Sequence, residues 1–116
     1  MLTEPRVISV LGTDVQILFR KEENDPQLED MDGYYDSSKN LIVVKIPEKD
    51  KNSLGDLEHW QRKTLRHEII HAFLHESGLD WSASAADSWA TNEEMVDWFA
   101  IQAPKIFKVF QEMGLM

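Results

Sequence analysis

Residues 54–77, LGDLEHWQRKTLRHEIIHAFLHES, are the longest stretch of this chain that predicts a single regular element. The stretch contains no proline. Ser53 and Asp56 resemble a capping box at its start, with aspartate in place of the usual glutamate or glutamine. Gly78 stands where a helix commonly ends. The stretch therefore predicts one long helix, to which the rest of the fold must be fitted.

On a helical wheel, the large apolar residues of this stretch fall on one side and a mixed polar and aromatic row on another. The apolar side consists of Ile69, Ile70, Phe73 and Leu74. The second row consists of Trp60, Thr64, His67, His71 and His75.

Upstream of this helix, short apolar runs separated by turn residues predict strands. Residues 7–11 (VISVL) and 15–19 (VQILF) flank a glycine-containing break and predict a hairpin. Residues 34–35 (YY) and 41–46 (LIVVKI) predict two more strands. Residues 22–36 hold seven acidic side chains and no basic one, and we expect a surface loop leading into the Tyr-Tyr strand. The front half is therefore expected to form a small, mostly antiparallel sheet.

Downstream, a second helix is expected to begin after Thr91 or Asn92, either of which can cap it. Pro104 predicts an end or a kink near Ala103, followed by a last amphipathic helical piece over residues 106–113. We expect an α+β fold in which the sheet packs on two to three helices. At 116 residues, the chain is predicted to form one domain over residues 1–116.

Composition excludes several functional classes. The chain has no cysteine, which excludes a disulfide framework, a thiol nucleophile and a cysteine-ligated metal cluster. Its 21 acidic and 12 basic residues give a net charge of −9, which argues against binding to nucleic acid or anionic membranes. The first twenty residues do not resemble a signal peptide, and no segment is long and apolar enough to span a bilayer. A cytoplasmic location is the default expectation.

The motif that carries chemistry is His67-Glu68-Ile69-Ile70-His71, an H-E-x-x-H pattern. Residues four apart lie on one face of a helix, so both imidazoles can bind one ion through Zn–N bonds of about 2.0–2.1 Å. Glu68 borders that face in the position of a general base. The competing interpretation is two ordinary surface histidines beside an acidic neighbour.

A catalytic zinc ion needs a third protein ligand and an open position for water. His75 lies about 12 Å from His67 along the helix axis, a distance that disfavours binding of one ion by both side chains. We therefore place His75 at the rim of the site. A first-turn carboxylate of the next helix, Glu93 or Glu94, is a better candidate. Asp97 lies one turn beyond Glu93 and is placed to accept a hydrogen bond from a zinc-bound histidine.

H-E-x-x-H followed by Asn92-Glu93-x-x-x-Asp97 resembles the gluzincin pattern of thermolysin-like zinc metallopeptidases. Together with the compact layout and the Phe99-Ala100 step, the chain also resembles the minimal ImmA/IrrE-type metallopeptidases of phages and mobile elements. The resemblance implies a zincin-like fold, one Zn²⁺ per chain, and Glu68 as the base. It implies that the ligands are His67, His71 and Glu93, with Asp97 behind a histidine and Glu94 as the alternative ligand.

The expected function is zinc-dependent hydrolysis of a peptide bond in a protein or peptide substrate by a metal-activated water. One alternative is a metal-binding regulatory or accessory protein with little or no turnover, and another is a metal hydrolase with a different substrate. A peptide is expected to lie along an exposed strand near Tyr35 or residues 41–46. The candidates for contacting the substrate or stabilising its oxyanion are Tyr34, Tyr35, His59 and His75.

Overall fold

The chain has an α+β fold in which a four-stranded mixed sheet precedes two α-helices. These counts refer to residues 1–48, 55–81 and 88–116, which the computed structural model describes. The strands are β1 (Arg6–Val10), β2 (Thr13–Arg20), β3 (Gly33–Asp36) and β4 (Leu41–Lys45), and the helices are α1 (Leu57–Glu76) and α2 (Glu93–Glu112).

The sheet has the strand order β1-β2-β4-β3. The predicted hairpin is confirmed, because β1 and β2 pair antiparallel with Ile8 opposite Val15. Strands β3 and β4 also pair antiparallel, whereas β2 and β4 pair parallel with Ile17 opposite Ile42. The parallel pair arises because β3 folds back on the far side of β4. This topology leaves β3 as an edge strand.

The core lies between one face of the sheet and α1. Alternate residues of β2 point to this face and are buried, as the period of a strand requires. The central cluster of the core consists of Val10, Val15, Ile17, Phe19, Ile42, Val44, Leu65 and Ala72.

The apolar side of α1 is buried only in part. Leu74 is buried and Ile69 packs against the core, whereas Phe73 is 43% exposed. The other buried residues of α1 include three polar or charged ones; they are Gln61, Thr64, Leu65, Glu68 and Ala72. These buried polar residues bring the glutamate of the motif to the inner side of the helix.

Both ends of α1 are fixed by local hydrogen bonds. Asp56 caps the start, its side chain accepting from the backbone N–H of His59 at 3.2 Å, so the helix begins at Leu57 rather than at residue 54. The predicted cap Ser53 lies outside the described residues. Gly78 follows the helix with a φ of +84°, and Leu79 N–H donates to the Leu74 carbonyl at 3.1 Å. This bond satisfies a carbonyl group of the last turn.

Helix α2 runs without a break through Pro104, so the predicted third helical piece is not a separate element. Asn92 is its cap, accepting from Met95 N–H at 2.7 Å. A proline removes one hydrogen bond within a helix, here the bond to the carbonyl of Ala100. Arg66 of α1 donates to that carbonyl and so satisfies the group that the proline leaves without a partner. No helix among the described residues is long and apolar enough to cross a membrane.

The acidic segment after β2 is more ordered than a surface loop. It contains two short 3-10 turns, Glu22–Asn24 and Pro26–Glu29, and buries Leu28 completely. Asp25 is also buried and accepts hydrogen bonds from Tyr34 Oη at 2.6 Å and Arg20 Nη1 at 3.2 Å. Burial and the bond to Asp25 together raise the pKa of Tyr34 to about 12. The segment therefore packs on the face of the sheet opposite α1.

Candidate metal centre

Helices α1 and α2 pack against each other in antiparallel orientation, and side chains near the start of α2 contact α1. His67 and His71 of α1 meet Glu93 in the first turn of α2. One turn further along α2, Asp97 meets Lys63, which lies one turn earlier on α1. A contact made later in α2 therefore involves a residue earlier in α1, as expected for antiparallel helices.

Three side chains that the sequence analysis selected converge on one point. His67 Nε2 and His71 Nε2 lie 3.1 Å apart. The two carboxylate oxygens of Glu93 lie 3.0 Å from His67 Nε2 and 2.8 Å from His71 Nε2. In a tetrahedral zinc site with bonds of about 2.0 Å, donor atoms lie roughly 3.3 Å apart. The donor set therefore fits a zinc ion, whereas Glu94 is exposed and outside the group.

The donor group is closed on one side and open on the other. The side chains of His67 and His71 are 13% and 20% exposed, while that of Glu93 is 70% exposed. Structural zinc sites are closed by four protein ligands, and catalytic sites keep a position open. Among the described residues this group offers three donors and a solvent-facing side, which leaves a position for a further ligand.

Asp97 lies behind His67. Its Oδ1 is 3.1 Å from His67 Nδ1 and also accepts from Lys63 Nζ at 2.8 Å. These contacts, Lys63 first and then His67, hold the pKa of Asp97 below its ordinary value. A carboxylate that accepts from Nδ1–H leaves the Nε2 lone pair free to bind a metal.

Burial favours the neutral form of His71. Loss of hydration lowers its pKa, and the negative charge of Glu93 opposes this effect. A metal-binding imidazole must be unprotonated at the ligating nitrogen. The environment of His71 therefore favours the form that binds metal.

Glu68 is 7% exposed, and its carboxylate makes no hydrogen bond with any described residue. Burial raises its pKa to about 7, with His67 lowering it and Glu93 adding to the rise. A cation held by His67, His71 and Glu93 would favour the charged form of this carboxylate.

Two cavities flank Glu68, of about 470 Å³ and about 200 Å³, and both are lined by Gly33 and Glu93. Gly33 brings the edge strand β3 against α1. A Cβ atom at Gly33 would lie 2.9 Å from both Thr64 Cγ2 and the Val43 carbonyl oxygen. Only glycine permits this approach, so β3 runs directly beside the donor group.

The four candidate substrate contacts are separated by the fold. Tyr34 Oη is engaged by Asp25 on the other face of the sheet, and His59 is exposed near the start of α1. Both tyrosines line the larger cavity. The Tyr35 hydroxyl is buried without a hydrogen-bond partner among the described residues, and its ring packs against His75 in a T-shaped arrangement with ring centres 5.9 Å apart.

Asp80 is a residue of this region that sequence reasoning missed. Its Oδ2 lies 3.0 Å from His75 Nδ1, and it lines the larger cavity beside Tyr35. Asp80 follows the end of α1 without any recognisable motif, so no sequence signal marked it. Lys63 was missed as well, although its position one turn before His67 could have suggested it.

Comparison with known proteins finds no matching family model, no matching curated protein and no matching solved structure. The function proposed below therefore depends on the side chains and their geometry. The most important feature of this geometry is the group formed by His67, His71 and Glu93 next to Glu68.

Proposed function

We propose that this chain is a zinc-dependent metallopeptidase with a zincin-like arrangement of helix and edge strand. The observation that carries the proposal is the convergence of His67, His71 and Glu93 beside a buried glutamate, Glu68, that has no hydrogen-bond partner among the described residues. A site with a purely structural role has no use for an acidic side chain that is adjacent to the metal but does not ligate it.

The chemistry follows from the roles of the side chains. A zinc ion held by the three donors would lower the pKa of a water molecule and polarise a substrate carbonyl group. Glu68 accepts a proton from the attacking water and returns it to the leaving amine. Asp97 keeps His67 oriented, and the free hydroxyl of Tyr35 is the candidate donor to the developing oxyanion.

The edge strand supports a peptide as the substrate. Lys45 N–H donates to the Asp32 carbonyl at 2.8 Å, at the start of the β3–β4 ladder. Because bonded positions alternate in an antiparallel ladder, the main-chain groups of Gly33 and Tyr35 are directed to the free edge. An extended peptide can add to such an edge through main-chain hydrogen bonds. This feature favours a peptidase over a hydrolase of small molecules.

Glu68→Gln tests the proposal when zinc content and peptide cleavage are both measured. Purified wild-type protein is expected to hold one zinc ion per chain and to cleave members of a synthetic peptide mixture, followed by mass spectrometry. The variant should retain zinc and lose about 10²–10⁴-fold in cleavage rate, the usual contribution of a general base. Glu94→Gln, an equal charge change at an exposed site, should change neither. Absence of zinc from the wild type, or equal turnover in Glu68→Gln, would overturn the proposal.

One observation favours the alternative of a metal-binding accessory protein without turnover. The second half of α2 and the residues after it expose a series of large apolar side chains, and exposed apolar patches often mark partner surfaces. They are Phe107, Val109, Phe110, Met113, Leu115 and Met116. Zinc retention by a wild-type protein that cleaves no peptide would favour this second function.

A further inference from the structure

We propose that Lys63 is a positioning residue of the metal centre, which fixes Asp97 so that Asp97 in turn fixes the ring of His67. The inference rests on the proposed function for the identity of the site. Lys63 belongs to none of the groups that ligate or react there, and its effect must pass through Asp97.

The first argument is that a single oxygen atom receives both contacts. Asp97 Oδ1 accepts from Lys63 Nζ at 2.8 Å and lies 3.1 Å from His67 Nδ1. Lys63 and His67 are one turn apart on the same face of α1, and Asp97 reaches them from α2. Asp97 of α2 therefore connects Lys63 with His67, both of which belong to α1.

The second argument is the difference in exposure between the partners. The side chain of Asp97 is 39% exposed, so packing alone leaves its carboxylate free to rotate. The side chain of Lys63 is only 14% exposed, and its ammonium group lies 5.1 Å from the centre of the Trp60 ring. A cation held against an aromatic face is a fixed partner, unlike the mobile lysine of a surface ion pair.

The third argument is that positioning and charge predict opposite effects on zinc affinity. A nearby ammonium group repels a divalent cation, so removal of its charge alone would strengthen zinc binding. Loss of positioning would weaken binding, and residues that orient a metal-binding histidine typically contribute about 10–100-fold. Because Lys63 acts one contact further away, we expect an effect near the lower end of that range.

The experiment measures zinc affinity by competition with a chelator in four proteins, namely wild type, Lys63→Met, Asp97→Asn and the double variant. Methionine retains the apolar stem that covers Trp60. Lys63→Met should weaken zinc binding about tenfold. In the Asp97→Asn background the same change should alter affinity by less than about twofold, because the intermediate contact is already lost. Tighter or unchanged binding in Lys63→Met, or an equal loss in both backgrounds, would overturn the inference.

Two further variants serve as matched controls. Arg62→Met removes the same charge from an exposed position of the same helix and should leave zinc affinity unchanged. Lys63→Arg keeps a cation within reach of Asp97 and should restore most of the affinity. A loss in Arg62→Met as large as that in Lys63→Met would show that the loss does not depend on the contact with Asp97, and would overturn the positioning role.

A measurement without metal separates the inference from the proposed function. In zinc-free protein, the ring-nitrogen NMR signals of His67 should shift in Lys63→Met and remain in place in Arg62→Met. If the wild type binds no zinc but these signals respond, the proposed function fails and the role of Lys63 stands. If the wild type binds zinc and neither affinity nor ring signals respond to Lys63→Met, the inference fails and the proposed function stands.

Discussion

Arg66 of α1 donates a hydrogen bond from Nε to the carbonyl oxygen of Ala100 in α2, at a distance of 2.6 Å. Ala100 is completely buried, and Pro104 cannot supply the N–H that this carbonyl would receive in an ordinary helix. The bond therefore satisfies a group that the sequence itself leaves open. Because Glu93 lies two turns before Ala100 on α2, the same bond helps to set the register that brings Glu93 to His67.

We expect Arg66→Met to lower the free energy of unfolding by about 1–3 kcal/mol, the cost of leaving a buried carbonyl group unsatisfied. Equilibrium urea denaturation, followed by circular dichroism, measures this quantity. Lys39→Met, which removes a charge from the exposed turn before β4, should change stability by less than about 0.5 kcal/mol.

Pro104→Ala tests whether the loss of stability in Arg66→Met comes from the unsatisfied Ala100 carbonyl. Alanine at this position supplies an N–H to the Ala100 carbonyl, so Arg66→Met should cost less in the Pro104→Ala background. A coupling free energy of at least about 0.5 kcal/mol between the two sites is expected. Additive effects would show that Arg66 stabilises the protein through some other contact.

Glu93 and Glu94 should respond differently to the same substitution. Glu93→Gln is expected to weaken zinc binding by more than about 10²-fold, beyond the 10–100-fold typical of residues behind the ligands. Glu94→Gln should have little effect, because its side chain is outside the donor group. Competition with a chelator measures both constants. A larger loss in Glu94→Gln would mean that the first turn of α2 presents its other carboxylate to the metal.

Gly33→Ala should destabilise the protein and disturb the site. The added methyl group would lie 2.9 Å from the Val43 carbonyl and from Thr64 Cγ2, and overpacking of this kind costs about 1–3 kcal/mol. Thr64→Ser removes the second of these contacts and should recover part of the loss. Thermal denaturation of the two single variants and the double variant tests this. Full stability of Gly33→Ala would mean that β3 can move away from α1 at no cost.

The adjacent tyrosines of β3 should give stability changes of opposite sign. Tyr35→Phe removes a buried hydroxyl group that has no hydrogen-bond partner among the described residues, and should raise the free energy of unfolding by about 1 kcal/mol. Tyr34→Phe removes a hydrogen bond to a charged group, Asp25, and should lower it by about 1.5–3 kcal/mol. Under the proposed mechanism, the more stable Tyr35→Phe variant should be the slower peptidase. Stability changes of the same sign for both variants, measured by urea denaturation, would contradict the hydrogen bonding assigned to the two hydroxyl groups.

Asp25 should make the fold sensitive to acid. Tyr34, the Gln27 N–H and Arg20 together hold the pKa of Asp25 below its ordinary value of 3.8. As the pH falls, the Asp25 carboxylate is therefore protonated in the unfolded chain before it is protonated in the folded protein. Stability contributed by Asp25 is complete above about pH 3.8 and is lost as the pH falls through the lower pKa of the folded state. Urea midpoints measured from pH 6 to pH 2, where measurable, should fall less steeply in Asp25→Asn than in the wild type.

Local patterns predicted the hairpin, the strand at Tyr34-Tyr35, helix α1, the start of α2 and the spacing of the candidate ligands within each helix. The spacing of His67 and His71 depends only on helix geometry, and that of Glu93 and Asp97 places both on one face of a second helix. Such relationships can be read from sequence because they lie within single elements.

Relationships between different elements could not be predicted from local sequence patterns. The parallel pairing of β2 with β4 depends on where β3 folds back, which no local pattern specifies. The Ala100 carbonyl, which Pro104 leaves without an N–H partner, is satisfied by Arg66, 38 positions before the proline in the sequence. Phe73 is exposed because the sheet covers a neighbouring face of α1 that carries Gln61 and Glu68. In each case a partner distant in sequence decided the outcome.

The three donor atoms are divided between two helices that are joined by more than fifteen residues of chain. An ion held by all three would act as a cross-link that exists only in the folded protein. Folding and metal loading would then be thermodynamically linked, so that a free ion concentration 100 times the dissociation constant adds about 2.7 kcal/mol to stability. The melting temperature of this chain would in that case report the zinc level of its surroundings.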